Sequence, residues 1–143
     1  MNRSPARILA QFLVDQGEAF LTQSVDWCVQ VNSMPAEKPD KRIAIYSTFA
    51  RDAGSIMRTG QTLYHPGLQI SVRAPTDEEA FDKIKNIQTK LDALYKDIVA
   101  IGGDSYTLQS FETMNPPFFL KQEEKNLRRY YIINGNLTYE EII

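Results

Sequence analysis

The chain has 143 residues, 43% hydrophobic and 24% charged, a length and balance that predict one folded domain over residues 1–143. Sixteen basic against eighteen acidic side chains leave a net charge of −2, which argues against generic nucleic-acid binding. A single cysteine excludes an intramolecular disulfide and Cys-rich metal sites, and a single histidine excludes any mechanism that needs two. No apolar run is long enough to predict a membrane-spanning helix. Met1-Asn2-Arg3-Ser4-Pro5 has no apolar core or small-residue cleavage site, so no secretion signal is expected. The expectation is an intracellular or virion-borne soluble domain.

Ser4-Pro5 predicts a helix start: serine caps the first turn, and proline suits its first position, where its missing N–H has no partner to lose. Ile8, Leu9, Phe12 and Leu13 follow at helical spacing, and Gly17 marks the stop. From Val25 the period changes to two. Val25, Trp27, Val29 and Val31 alternate with Asp26, Cys28, Gln30 and Asn32, predicting a half-buried strand. Met34-Pro35 to Pro39-Asp40 is a proline-bounded, charged connection to a second strand, Arg42–Phe49, and the two are expected to form an antiparallel hairpin. Ala50–Pro66 is a polar stretch with Gly54, Gly60, Arg51, Arg58 and His65. A loop of that length in a compact domain points to function, and the expectation is a mobile segment that orders on a partner. A third strand, Leu68–Ala74, alternates Leu68, Ile70 and Val72 with Gln69, Ser71 and Arg73.

Thr76-Asp77-Glu78-Glu79 is a capping box, with the threonine side chain accepting from the amide three residues on and Glu79 reaching back. Three acidic residues in the first turn also suit the helix dipole. Ala80, Ile84, Ile87, Leu91, Leu94, Ile98 and Ile101 make one apolar stripe, which predicts a helix over Asp77–Ile101 that covers a sheet and ends at Gly102-Gly103. Asp104–Met114 and Leu127–Tyr139 read as two further strands, separated by Asn115-Pro116-Pro117 and the charged stretch Lys121–Lys125. Asn134-Gly135 is compatible with a tight turn or a bulge. The order α-β-β-β-α-β-β predicts an α+β fold, an antiparallel four- to five-stranded sheet with two helices packed on one face.

Little in the chain points to catalysis. Cys28 falls on the polar side of a predicted strand with no basic partner nearby, which predicts an inert thiol. His65 precedes Pro66 in the long loop and reads as a surface residue. There is no Gly-x-Ser-x-Gly elbow, and Gly102-Gly103 follows a predicted helix where phosphate cradles precede one. The pairs Glu78-Glu79 and Glu123-Glu124 read as solvated charge, and Asn136-Leu137-Thr138 as a chance glycosylation match. No catalytic residue, metal site or cofactor is expected. The candidate interface residues are Arg51, Arg58, Arg73, Arg128 and Arg129, which would meet acidic stretches such as Glu123-Glu124 on a neighbouring subunit; scattered surface charge is the plainer alternative. The polar sides of the strands, with Gln30, Gln69, Ser71, Arg73, Thr107 and Gln109, would form an open sheet face without the aromatic platform that stacks bases.

The run His65-Pro66-Gly67-Leu68-Gln69-Ile70-Ser71-Val72-Arg73-Ala74, followed by a helix ending Lys90-Leu91-Asp92-Ala93-Leu94, resembles the tail terminator, or tail-completion, proteins of long-tailed bacteriophages, often labelled minor capsid proteins. Glu123-Glu124-Lys125-Asn126-Leu127-Arg128-Arg129-Tyr130-Tyr131-Ile132-Ile133-Asn134 resembles their acidic, Asn- and Arg-containing lead-in to a final strand, and Pro116-Pro117 their proline-bearing loop. Tyr46-Ser47-Thr48-Phe49-Ala50 departs from the pattern, since many relatives have Asp-Thr followed by glycines and only Thr48 matches. The resemblance implies a cyclic homo-oligomer, commonly a hexamer, that caps the tail tube at the head–tail junction of the virion. Its partners would be its own copies, the major tail tube protein and the head connector or neck protein, with no sequence-specific nucleic acid although DNA would pass through the ring, no membrane and no catalysis. The alternatives are a small peptide- or nucleic-acid-binding module that uses the open sheet face, and an enzyme built on Cys28 or His65.

Overall fold

The computed structural model describes residues 3–55 and 62–142, and for 49–55 and 62 the backbone alone. Helix α1, Pro5–Asp15, starts where its sequence predicts, with the Ser4 side chain accepting from the Arg7 amide at 3.2 Å. Gly17 follows it at φ +78, a left-handed conformation that only glycine adopts at no steric cost. Ile8, Leu9, Phe12 and Leu13 are all buried.

The fold is α+β, but among the described residues the sheet has seven strands where four or five are expected. They are β1 Cys28–Val31, β2 Arg42–Ser55, β3 Thr62–Ala74, β4 Asp97–Ile101, β5 Asp104–Thr113, β6 Phe118–Gln122 and β7 Arg129–Ile142. The order across the sheet is β1-β2-β3-β7-β5-β4, with β6 also paired to β7. β1 lies parallel to β2, so the expected antiparallel hairpin does not form. Residues 32–41 instead carry the chain back to the level at which β1 began. β1 is also shorter than the alternation from Val25 implies: Trp27 takes φ +62, which interrupts the extended run, and Val25 is exposed.

The β2–β3 ladder runs from Arg42↔Arg73 to Ser55↔Thr62, so most of the stretch Ala50–Pro66, expected as a loop, is β-ribbon. Pro66, which cannot donate to a ladder, sits where the register shifts between Thr48 and Arg51. Residues 56–61, and with them Arg58 and the mobility expected there, lie outside the described residues.

Helix α2 is Asp77–Asp92 and not Asp77–Ile101. Thr76 caps it, accepting from the Glu79 amide at 3.3 Å, while the Glu79 carboxylate lies 3.1 Å from Lys41 Nζ. The stripe beyond Leu91 keeps helical spacing by coincidence. The chain reverses at Lys96 (φ +51) into β4, where Val99 and Ile101 are buried but Ile98 is 66% exposed. Ile98 and Val99 are β-branched and favour the strand.

Both helices pack on one face of the sheet, in a single cluster with Ile43, Ile45, Ile70, Val72, Ile133 and Leu137. Lys83 ties α2 to the segment after α1: its Nζ is 3.0 Å from Glu18 and 5.0 Å from the Trp27 ring. β7 is the central strand, with β3 on one side and β5 and β6 on the other. Asn134-Gly135 is no turn: it lies within β7, where a side chain at Gly135 would strike the Phe111 ring and the Glu112 carbonyl. Leu91 is fully buried between α2 and the sheet. Leu91→Ala should therefore lower the unfolding free energy by about 2–5 kcal/mol in chemical denaturation.

Candidate functional site

On the face away from the helices, the register aligns Cys28, Arg42, Arg73 and Tyr130 across β1, β2, β3 and β7. Two arginines directly opposite one another repel, and both are buried, Arg42 at 3% exposure and Arg73 at 0%. Main-chain carbonyls and the Gln23 side chain answer them. Arg73 donates from Nε to Asp40 O (3.0 Å), from Nη1 to Pro35 O, and from Nη2 to Glu37 O (3.0 Å) and Pro39 O (2.8 Å). Arg42 donates from Nε to Glu37 O (3.2 Å), from Nη1 to Gln23 Oε1 (3.0 Å) and from Nη2 to Lys38 O (2.9 Å). The proline-bounded connection is thus folded down over this end of the sheet, which the sequence leads one to expect open to solvent.

A carboxylate completes the cluster. Arg128, 2% exposed, holds Glu123 through Nε and Nη2 and reaches Asp40 Oδ1 at 3.4 Å, while the Tyr130 hydroxyl donates to Glu123 Oε2 at 2.7 Å. Burial alone would raise the Glu123 carboxyl, but the hydrogen bonds from Arg128 and Tyr130 hold it below the usual carboxylate range. Burial likewise draws the Arg73 guanidinium down from its ordinary value, and Arg128 adds to that. At Arg128 itself burial opposes the charge, yet Glu123 more than offsets it and raises the group.

Of the residues singled out in the sequence, Arg73, Arg128 and Glu123 come together, and they do so within one subunit. Arg129 is half-buried and donates to the carbonyls of Pro75 and Leu127, both at 3.1 Å. Glu124 is exposed. Arg51 stands opposite His65 in the β2–β3 ladder, its side chain outside the described residues, as is the whole of Arg58. His65 Nδ1 lies 3.1 Å from Thr138 Oγ1. Cys28 is buried, and burial pushes its thiol up, away from a reactive thiolate. Among the described residues, no group of His, Cys, Asp and Glu side chains could hold a metal ion.

Sequence reasoning misses Arg42, Asp40 and Tyr130. The available signal, arginines at the non-core parity of neighbouring strands, becomes legible only once the register is known. It also misses two surface features. A shallow groove of about 500 Å³ crosses the same face, with Tyr46, Gln69, Ser71 and Tyr130 between Met34 and Lys121. β6 presents Phe118, Phe119 and Leu120 to solvent; the Phe-Phe-Leu run after Pro116-Pro117 is its sequence signal.

No protein-family model matches the chain, and no curated protein does. Among solved structures, a chain from the virion of a native gene transfer agent particle is 14% identical, covers 78% of each chain and has a TM-score of 0.42. A second solved chain is 18% identical over 99% of this chain and 98% of its own, with a TM-score of 0.44. Superpositions this loose carry no functional argument.

Two expectations follow from the buried cluster. Arg73→Met should cost about 3–5 kcal/mol in chemical denaturation, because it strands the carbonyls of Pro35, Glu37, Pro39 and Asp40 that the guanidinium meets; Arg73→Lys should recover only part, since one ammonium cannot reach the positions a guanidinium fork spans. Glu123, depressed in the folded state, contributes stability that is fully present above its unfolded value. That contribution is lost as pH falls below the usual carboxylate range and through the folded value. Unfolding curves collected between neutral and strongly acidic pH should show this loss, and Glu123→Gln should flatten it.

Proposed function

We propose that this chain is a structural protein of a phage or phage-like virion: a tail terminator that caps the tail tube as a ring, commonly a hexamer, and joins it to the head connector. The supporting observation is where the resembling segments fall. The His65–Ala74 run lies in β3, the helix after it is α2, and Pro116-Pro117 leads into β6. The Glu123–Asn134 run forms the turn after β6 and the first half of β7. β3 and β7 are hydrogen-bonded neighbours, α2 packs on both, and β6 pairs with β7. The likeness therefore covers one contiguous unit of the fold and not scattered fragments.

In this reading the partners are further copies of the chain, the major tail tube protein and the head connector, with DNA passing through the ring and no chemistry performed. The groove over Gln69 and Ser71 favours a second reading, a peptide-binding module. Imaging of tails assembled with and without the chain separates the two. The terminator reading expects tails lacking it to overgrow or to remain unattached to heads. Tails of normal length that still join heads would refute it, and leave the groove as the feature to probe with peptides.

A further inference from the structure

The strip β1-β2-β3-β7-β6 has two ends at one level. The register runs Val29–Ile43–Val72–Tyr131–Phe119 and, in the neighbouring row, Phe20–Cys28–Arg42–Arg73–Tyr130–Lys121. At one end lies β6, every residue of it exposed, with Phe118, Phe119 and Leu120 at 41%, 48% and 46%. Among the described residues β7 is its only strand partner, so its outer edge offers backbone donors and acceptors as well as apolar side chains. At the other end a single bridge sets Phe20 beside Cys28 and leaves Phe20, Leu21 and Val25 exposed at 50%, 44% and 39%. Lys121 is exposed at the first rim and Asp26 at the second.

We propose, resting on the ring reading above, that the β6 rim of one copy docks on the Phe20–Val25 rim of the next. The occupant is a second copy because the chain itself carries an apolar rim of matching kind, with a charge of opposite sign, at the far end of the same strand row. Each copy then gives one rim and receives on the other, a heterologous joint that closes into a ring when repeated about an axis. Pairing β6 with β6 about a two-fold axis would instead bring the Lys121 side chains of both copies to one joint.

The test uses Thr22→Cys and Gln122→Cys, one exposed position within each rim, and a short bifunctional maleimide on the purified chain at high concentration; Cys28 is buried and stays silent. The double variant should give a ladder of multimers ending in a closed ring, and each single variant monomer alone. Lys121→Glu should cut the ladder several-fold, and Asp26→Lys in the same chain should restore it. No ladder from the double variant, or dimers from Gln122→Cys alone, would overturn the proposal. A ladder from a chain whose omission leaves tails normal would retain this joint and reject the terminator reading. Tails that need the chain, with no ladder, would do the reverse.

Discussion

The charge on Arg73 is the constraint around which this end of the molecule is arranged. Moving a guanidinium out of water costs on the order of several kcal/mol unless its donors are met. Here they are met by carbonyls of Pro35, Glu37, Pro39 and Asp40, all from one connection. A second guanidinium, Arg42, stands opposite on β2 and shares the Glu37 carbonyl. The loop must therefore lie across the sheet instead of turning tightly at its end. A connection held in that path delivers the chain to β2 running the same way as β1, which is why the pair is parallel. The position of β1 at the edge, and of Phe20 outside it, follows from where two arginine side chains find their acceptors.

β7 imposes the other half of the plan. Along one side it pairs with β3 from Arg129 to Tyr139; along the other it takes β6 first and β5 afterwards. β5 and β6 are thus two pieces of one interrupted line against β7, parted at Asn115-Pro116-Pro117, where prolines cannot donate to a ladder. β4 covers β5 only as far as Leu108, so the line beyond it, β6 included, is left as a sheet edge. Gly135 sits beside the end of β5, where the Phe111 ring comes close enough to exclude a side chain. The open apolar rim is a consequence of how the prolines and the short β4 divide the sheet.

Local signals were legible where one residue does one job. Ser4 and Thr76 cap their helices, Gly17 ends the first, and the alternations of β2 and β3 place Ile43, Ile45, Ile70 and Val72 in the core as their parity predicts. Three things were not legible. The period change after Leu91 was hidden because Leu94, Ile98 and Ile101 fit helical spacing, although Ile98 is exposed. The direction of β1 depends on contacts between residues 35–40 and arginines far along the chain, which no local pattern encodes. The polar parity of β3 was legible as a face but not as a buried one: Arg73 looks like a solvent residue until the loop that covers it is placed. The candidate arginines and Glu123 were chosen for their charge, and charge alone does not say whether its partner lies in the same chain or the next.

That last distinction decides what the cluster does. Glu123 follows β6 directly, its amide donates to the Arg128 carbonyl, and its carbonyl accepts from the Leu127 amide, so it closes the turn between β6 and β7. Its carboxylate meanwhile holds Arg128, which reaches across to Asp40 in the loop that cages Arg73. One side chain thereby fixes the β6 rim to the connection that sets β1, and so links the two ends of the strand row through charge. Leu127, at φ +58, is the strained residue that lets the turn close, and it is held by those same bonds. Protonating Glu123 would withdraw the charge Arg128 needs while leaving that guanidinium buried. The loss would therefore be felt first at the turn that presents β6, so the rim loosens before the helix-covered core does.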